Sequence, residues 1–287
     1  MSYIRASISA FIISFAIFGC KSGGKSIQPV DSSRYDLTHP VIMKLPEGLV
    51  EISGIAYYAK DTSVFAIGDE SGNLYKISLN RKGDIKKWKF DKKHDFEDLV
   101  LKDSTFYVLV SNGDIVSVQF GQNDSIITHT STFPDASKKL NEFESLYYDD
   151  SLRQLVLLCK DCEDDDKKTI SAWGYNDTSG AYTASIYTID VQPIAQKLGV
   201  EKVKLKPSAM AINPVTNELY IISSINRVLI VTDRQGKFKE LFTLDRAIYK
   251  QPEGIAFTPA GDMMISNEAS ETGLADILLI KNKKKGL

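Results

Sequence analysis

Gln251-Pro252-Glu253-Gly254-Ile255-Ala256 is one of five related stretches in this chain of 287 residues, each a short acidic or polar entry that runs into apolar sequence. The stretches begin at residues 51, 95, 142, 206 and 251, so successive starts lie 44, 47, 64 and 45 residues apart. A period in the forties with strand-like content is typical of propeller blades. The other four copies are Glu51-Ile52-Ser53-Gly54-Ile55-Ala56, Asp95-Phe96-Glu97-Asp98-Leu99-Val100, Glu142-Phe143-Glu144-Ser145-Leu146-Tyr147 and Lys206-Pro207-Ser208-Ala209-Met210-Ala211.

Each repeat contains several short strands separated by turns rich in Gly, Asn and Asp, which tolerate the backbone of tight hairpins. The last repeat has only three strands, ending near residue 280, and the otherwise unassigned strand at residues 40–45 supplies the fourth. Without that strand the last blade would leave an unpaired sheet edge. The sequence therefore predicts an all-β fold, a five-bladed β-propeller closed by an N-terminal strand. In the longer third copy we expect an inserted loop at 173–182 and a short helix at 191–198.

The N-terminal segment differs from the rest of the chain. Arg5 precedes an apolar stretch at residues 8–18, which has the length of a signal-peptide core. Its end, Ile17-Phe18-Gly19-Cys20, resembles a bacterial lipobox, although Phe18 is bulky where a small residue is preferred. We expect residues 1–20 to be a signal peptide with Cys20 as the lipidation site, residues 21–38 a flexible tether, and residues 39–287 the propeller. An ordinary cleaved signal or an uncleaved helix are the alternatives.

The two other cysteines form a single CxxC motif, Cys159-Lys160-Asp161-Cys162. In an exported protein the simplest interpretation is a local disulfide. A zinc site would need further ligands, which three scattered histidines do not supply, and a redox site would be expected at a helix N-terminus. We therefore predict a structural Cys159–Cys162 disulfide.

Three glutamates, Glu97, Glu144 and Glu253, occupy the same position of their repeats, where Ser53 and Ser208 stand in the other two copies. If that position begins the innermost strand, these side chains meet at the mouth of the central channel. Like charges brought together out of water require protonation or a cation. Calcium suits such a set because it accepts six to eight oxygen ligands in flexible geometry.

A second set of equivalent positions follows the second strand of each blade, beside the start of the first strand. We expect Asp69, Asn267 and Glu268 to add oxygen ligands there, whereas Lys160 could pair with Glu144. The competing interpretation is that these acids are solvated turn residues, or that they accept hydrogen bonds from backbone N–H groups and join neighbouring blades.

In this order and spacing, the five stretches resemble the bacterial SdiA-regulated family, a five-bladed propeller distantly similar to NHL-repeat proteins. The resemblance covers roughly residues 40–281. It implies a calcium-binding propeller without an established catalytic activity. Copy four departs from the pattern, because Lys206 and Ser208 stand where other copies carry carboxylates.

Charge excludes some partners: the net charge is −2 and charged residues make up 25% of the chain, so nothing indicates binding to nucleic acid. Phosphate loops, HExxH and serine elbows are absent from the sequence. We expect a monomeric, non-enzymatic calcium-binding module, lipid-anchored through Cys20 to a bacterial membrane of the cell envelope, most simply the outer one, with a protein or glycan partner. A calcium-dependent hydrolase of lactonase or phytase type and a metal-free scaffold are the alternatives.

Overall fold

The inner strands of five antiparallel sheets form a closed ring in the computed structural model, which describes residues 34–81, 83–134, 141–162, 165, 168–269 and 273–284. Each sheet has four strands, and each innermost strand contacts the innermost strands of the two neighbouring sheets. The fold is a five-bladed β-propeller, as predicted.

The blades use consecutive strands, numbered here along the chain and given from the channel outward. Blade 1 contains β2 (Ile52–Tyr58), β3 (Ser63–Gly68), β4 (Asn73–Ser78) and β5 (Ile85–Lys89). Blade 2 contains β6 (Phe96–Lys102), β7 (Thr105–Val110), β8 (Ile115–Phe120) and β9 (Ile126–Ser131). Blade 3 contains β10 (Glu142–Asp149), β11 (Gln154–Asp161), β12 (Thr169–Asn176) and β13 (Ala181–Asp190).

The remaining two blades complete the ring. Blade 4 contains β14 (Ala209–Asn213), β15 (Glu218–Ser223), β16 (Val228–Thr232) and β17 (Phe238–Thr243). Blade 5 contains β18 (Pro252–Phe257), β19 (Met263–Asn267), β20 (Asp276–Ile280) and, outermost, β1 (Val41–Lys44). A helix, α1 (Gln192–Leu198), joins blades 3 and 4, and short 3₁₀ helices lie at Glu47–Leu49 and Gln122–Asp124.

The ring closes through β1. This strand pairs antiparallel with β20, with Val41 opposite Leu279 and Lys44 opposite Asp276. The Lys44 ammonium also donates to the buried Asp276 carboxylate at 2.6 Å. The predicted closure by an N-terminal strand is confirmed, and it joins the first part of the fold to the last.

The boundary between tether and propeller, predicted at residue 38, is wrong by several residues. Tyr35 and Leu37 are 1% and 3% exposed, and Tyr35 forms an isolated bridge with Asn282. The Tyr35 hydroxyl donates to the Gly261 carbonyl at 2.7 Å and accepts from the Asn213 amide at 2.6 Å, which connects blades 4 and 5. In the sequence, Tyr35 and Leu37 are flanked by polar residues, so they do not stand out as part of an apolar segment. Cys20 and the predicted signal peptide lie outside the described residues.

Blade 3 is longer than the others for two reasons. The predicted helix at 191–198 is present as α1. The expected loop at 173–182 is instead mostly strand, because β12 and β13 extend into a long hairpin. Trp173 and Tyr182 on this hairpin pack against Phe133 of the blade 2 to blade 3 connection, with ring centroids 4.8 and 5.2 Å apart. The alternating aromatic residues follow the period of a strand, not that of a loop.

The core fills the seams between blades. Phe65 of blade 1 packs against Phe106 of blade 2, and Tyr220 of blade 4 packs against Phe257 of blade 5, with ring centroids 4.5 and 5.2 Å apart. Such aromatic pairs add to the burial of apolar area that holds the sheets together. Over the described residues, no helix is long and apolar enough to span a membrane.

Candidate functional site

Glu97, Glu144 and Glu253 each sit at a break in the register of an innermost strand. In blade 2, Phe96 lies opposite Val110 and Asp98 opposite Leu109, so Glu97 is the extra residue of a β-bulge. The same shift surrounds Glu144 in β10 and Glu253 in β18. A bulge turns one side chain out of the regular alternation. The side chain before each glutamate can thus point into the core while the glutamate side chain points away from it.

The second set of positions lies beside these bulges. The Asp69 N–H donates to the Glu51 carbonyl at 3.0 Å, and the Asp69 carbonyl accepts from the Phe96 N–H of the next blade at 2.8 Å. In blade 5, the Glu268 N–H donates to the Gln251 carbonyl at 2.9 Å. Backbone hydrogen bonds therefore hold Asp69 and Glu268 next to the start of the inner strand, as the repeat alignment predicts.

The electrostatics of Glu97 show that it shares its surroundings with other acids. Burial raises the pKa of Glu97 to about 9. The negative charge of Asp95 adds to the rise, as do those of Asp69 and Glu253, whereas the positive charge of Lys160 lowers this pKa. The carboxyl groups of blades 1, 2 and 5 thus lie close enough to influence one another.

Three further carboxyl groups carry raised pKa values. Burial raises the pKa of Asp69 to about 7, helped by a hydrogen bond and repulsion from Asp95. Burial raises the pKa of Glu268 to about 8, and the negative charges of Glu253, Asp69 and Glu51 add to the rise. Burial also raises the pKa of Glu253 to about 7, although hydrogen bonds from Ser224 and Gln251 oppose the shift. We call Asp69, Glu97, Glu253 and Glu268 the carboxylate ring.

Glu144 has a different environment from the ring. It forms an ion pair with Lys160, which also donates to Glu142 Oε1 at 2.7 Å. The alternative pairing that the sequence suggested for Lys160 is therefore the one present. Lys160 itself lies at a register shift of β11, between Cys159 and Cys162, which form a disulfide with Cα atoms 5.9 Å apart. The lysine neutralises Glu144, and its positive charge also lowers the pKa of the ring members Glu97 and Glu253.

Asn267 does not join the ring, contrary to the sequence-based expectation. Its side chain is fully buried, and its amide donates to the Ile248 carbonyl at 3.0 Å and to Asp276 Oδ1 at 2.8 Å. Glu268 is the next residue along the chain. Glu268 follows the last residue of β19 and is influenced by the charges of Glu253 and Asp69, whereas the Asn267 amide is held by Ile248 and Asp276.

Sequence reasoning missed several contributors to this site. Asp95, Ser224 and Gln251 each affect the pKa of a ring carboxyl group. The repeat alignment contains a usable signal, because Glu51, Asp95 and Gln251 are equivalent positions two residues before the bulge. Asp98, the residue after Glu97, is buried and belongs to the contact between blades 2 and 3, since it accepts from the Leu146 N–H at 2.7 Å.

The chemistry of the ring fits a hard cation. Its donors are carboxylate oxygens, which calcium prefers, and Asp69 Oδ1 is buried without a hydrogen-bond partner among the described residues. The ring is wider than a compact cage. Within the described ranges, only Cys159, Cys162 and Asp165 bring three His, Cys, Asp or Glu ligand atoms within 4.8 Å of one another. That trio is no metal site, because the two sulfurs are bonded to each other. An ion in the ring would bind partly through water, as calcium does in other sites.

A five-bladed propeller with acidic side chains gathered at one end of its channel is the class of protein that these observations define. The SdiA-regulated family model matches residues 32–271. The chain therefore belongs to the SdiA-regulated family. No curated protein sequence matches the chain significantly.

Solved structures share the fold at low sequence identity. A luciferin-regenerating enzyme is 12% identical with a TM-score of 0.57, covering 87% of this chain and 98% of its own. Glutaminyl cyclase from Myxococcus xanthus is 13% identical with a TM-score of 0.56, over 85% and 95% of the two chains. Regucalcin from Agrobacterium tumefaciens, a calcium-binding protein, is 12% identical with a TM-score of 0.52, over 89% and 97%. At these identities the likeness extends to the fold alone.

Proposed function

We propose that this protein is a calcium-binding propeller that acts as an interaction module at the cell envelope, held to a membrane by a lipid on Cys20. The carboxylate ring is the calcium site, and the calcium-loaded end of the channel forms the surface that a protein or glycan partner recognises. One observation carries the proposal: four carboxyl groups from three blades lie at the starts of neighbouring inner strands, and burial together with repulsion from nearby carboxylates raises the pKa of each.

The physical argument for a cation starts from neutral pH. Near pH 7 a ring with such pKa values holds several protons that isolated carboxyl groups would have released. A divalent cation replaces those protons and removes the repulsion, so binding gains free energy from groups that the fold has already brought together.

The choice of calcium rests on the donors. Carboxylate oxygens with hydroxyl and amide oxygens nearby, such as those of Ser224 and Gln251, form a hard and adaptable ligand set. Magnesium demands a tighter octahedral arrangement, and zinc prefers nitrogen and sulfur ligands. Regucalcin combines the same kind of fold with calcium binding. That likeness is one of fold, so it supports calcium less strongly than the donor set does.

The test is a calcium titration of the chain from residue 21, which contains every described residue, followed by calorimetry and by thermal melting. We expect calcium to bind at one site and to raise the melting temperature. Glu97→Gln and Glu253→Gln each remove a ring carboxylate and should weaken calcium binding about tenfold or more. The matched control, Glu240→Gln, removes an exposed carboxylate on β17 and should change the affinity less than about twofold.

Lys160→Gln provides a test in the opposite direction. It removes the positive charge that lowers the pKa of Glu97 and Glu253 and frees Glu144 for the ion. Calcium should therefore bind about five to ten times more tightly. An unchanged melting temperature with saturating calcium in the wild type would leave the fold as a metal-free scaffold and end the proposal. A loss of affinity confined to the control variant would place the site elsewhere.

A further inference from the structure

The seam between blades 5 and 1 contains a cavity of about 510 Å³ that the carboxylate ring does not use. Its walls come from β1 and the following 3₁₀ helix on one side and from β4 and β5 on the other. Most of the lining is apolar, with Met43, Leu45 and Leu49 facing Ile77 and Ile85. Volumes of this size and character are typical of small-molecule sites.

The cavity has an identifiable structural origin. Two other seams contain aromatic pairs, with Trp88 and Phe120 at 4.9 Å between blades 1 and 2 and Tyr220 and Phe257 at 5.2 Å between blades 4 and 5. Among the described residues, no aromatic pair bridges the seam between β1 and blade 1. From the closing strand, Met43 and Lys44 line the cavity, and neither is aromatic. The closure of the ring therefore leaves a cleft.

Exposed apolar residues concentrate around this cleft. Leu274 on the cavity wall is 37% exposed, Val41 on the same face of β1 as the lining residue Met43 is 63% exposed, and Val50 directly after the 3₁₀ helix is 40% exposed. Clustered exposed apolar side chains beside a cavity mark a binding site more often than scattered ones do. The ligand should accordingly have a sizeable apolar part.

The polar groups that line the cleft favour a negatively charged ligand. Lys87 of β5 and Tyr75 of β4 lie directly opposite one another in the sheet, and both line the cavity. Lys44 is already paired with Asp276, whereas Lys87 has no ion pair in the described part of the chain. An ammonium beside a hydroxyl group can bind a carboxylate through charge-assisted hydrogen bonds, for which the Tyr75 hydroxyl exchanges its 3.5 Å contact with the Gly48 carbonyl.

From this combination we infer that the cleft between blades 5 and 1 binds a single-chain anionic amphiphile, with the alkyl chain between Met43, Ile77 and Ile85 and the carboxylate at Lys87 and Tyr75. The site is independent of the proposed calcium site. A second, smaller cavity of about 440 Å³, lined in part by Leu79, Met264 and Leu279, lies elsewhere along the same seam and is not part of this inference.

Calorimetric titration of the chain from residue 21 in detergent-free buffer tests this inference. The probes are dodecanoate and, as the cation of equal chain length, dodecyltrimethylammonium, both below their micellar concentrations. We expect saturable binding of dodecanoate at one site and binding of the cation at least about tenfold weaker. Equal affinity for the two probes, or no saturable binding of dodecanoate, would overturn the inference.

Three variants locate the site. Ile85→Trp fills the cleft from a half-buried position on the outermost strand and should abolish dodecanoate binding. Lys87→Glu should weaken it about tenfold or more, whereas Lys86→Glu makes the same charge change on the opposite face of β5 and should alter it less than about twofold. A thermal melt of each variant verifies folding. Dodecanoate binding that survives Ile85→Trp, or that responds equally to the two lysine variants, would contradict the assignment.

Discussion

Identical side chains have different properties in this propeller, because each blade surrounds them differently. Glu97 and Glu144 occupy the same repeat position and the same kind of bulge. Lys160 neutralises Glu144, whereas burial, together with the charges of Asp95 and Asp69, raises the pKa of Glu97 to about 9. The chemistry of the position is thus decided by residues from other strands.

The pH dependence of stability follows from these shifts. For Glu97, Glu268, Glu253 and Asp69 the pKa in the folded state exceeds the ordinary value, so between about pH 5 and pH 7 the folded protein binds more protons than the unfolded chain. Their stabilising contribution is complete below the unfolded pKa and is lost as pH rises through the folded values. We expect the melting temperature of the calcium-free protein to fall from pH 5 to pH 9, most steeply below pH 7.

Melts in the presence of a calcium chelator across this range test the expectation. The double variant Glu97→Gln with Glu253→Gln should show a flatter dependence, because two of the shifted groups no longer titrate. Some carboxyl groups have a lowered pKa instead. For Asp149, burial raises the pKa, but hydrogen bonds from Arg234 and other groups outweigh it, so the net pKa is lowered. Such groups lose their contribution to stability only at more acidic pH. A melting temperature that rises from pH 5 to pH 7 would contradict the prediction.

At the scale of strands and blades, neighbouring sheets are joined by polar contacts as well as by apolar packing. The buried Asp98 accepts from the Leu99 N–H at 2.8 Å and from the Leu146 N–H at 2.7 Å, which connects β6 to β10. Burial raises the pKa of Asp98 well above its usual range, against the effect of these two hydrogen bonds. Gly54 has no side chain at the facing position of blade 1, where a Cβ atom would lie 2.5 Å from Asp98 Oδ1.

Asp98→Ala should therefore destabilise the fold by about 2–4 kcal/mol, because it leaves two buried N–H groups without acceptors. The matched control is Ser145→Ala, at the equivalent position of blade 3. The Ser145 hydroxyl is buried without a hydrogen-bond partner in the described ranges, so we expect a change within about 0.5 kcal/mol. Urea unfolding of both variants gives the comparison. Equal costs would show that the blade contact does not depend on the Asp98 carboxyl group.

The whole molecule is held closed by chain segments that are distant in sequence. The strand β1 completes blade 5, and before it Tyr35 and Leu37 pack into the core near Gly261 and Tyr249. The Tyr249 hydroxyl donates to the Leu37 carbonyl at 2.9 Å. The closure therefore extends beyond the last blade's fourth strand to an anchor of two buried side chains.

A chain that begins at residue 39 should melt at least about 10 °C below one that begins at residue 34. The shorter chain keeps β1 but loses Tyr35 and Leu37, and each buried side chain of this size contributes about 2–5 kcal/mol. Differential scanning calorimetry of the two chains measures the difference. If they melt within about 2 °C of each other, the anchor contributes little and the boundary predicted from the sequence is adequate.

Much of this architecture could be predicted from local pattern. The repeat spacing and the strand-like content indicated five blades, the three-stranded last repeat indicated closure by residues 40–45, and the CxxC motif indicated the disulfide. The misplaced boundary at residue 38 and the supposed loop at 173–182 both involve aromatic residues whose partners are distant in sequence, namely Gly261 and Asn213 for Tyr35 and Phe133 for Trp173 and Tyr182.

The sequence by itself determined the number of blades, their order and the three glutamates that recur at one position. These features follow from the spacing of the repeats, which is local to the chain and does not depend on contacts between blades. Only the tertiary structure decided that Lys160 neutralises Glu144, that Asn267 faces Asp276 instead of the channel, and that the closing strand leaves a cleft beside blade 1. These outcomes depend on which side chains from separate blades meet across a seam or the channel. The spacing of residues along one strand does not determine those contacts.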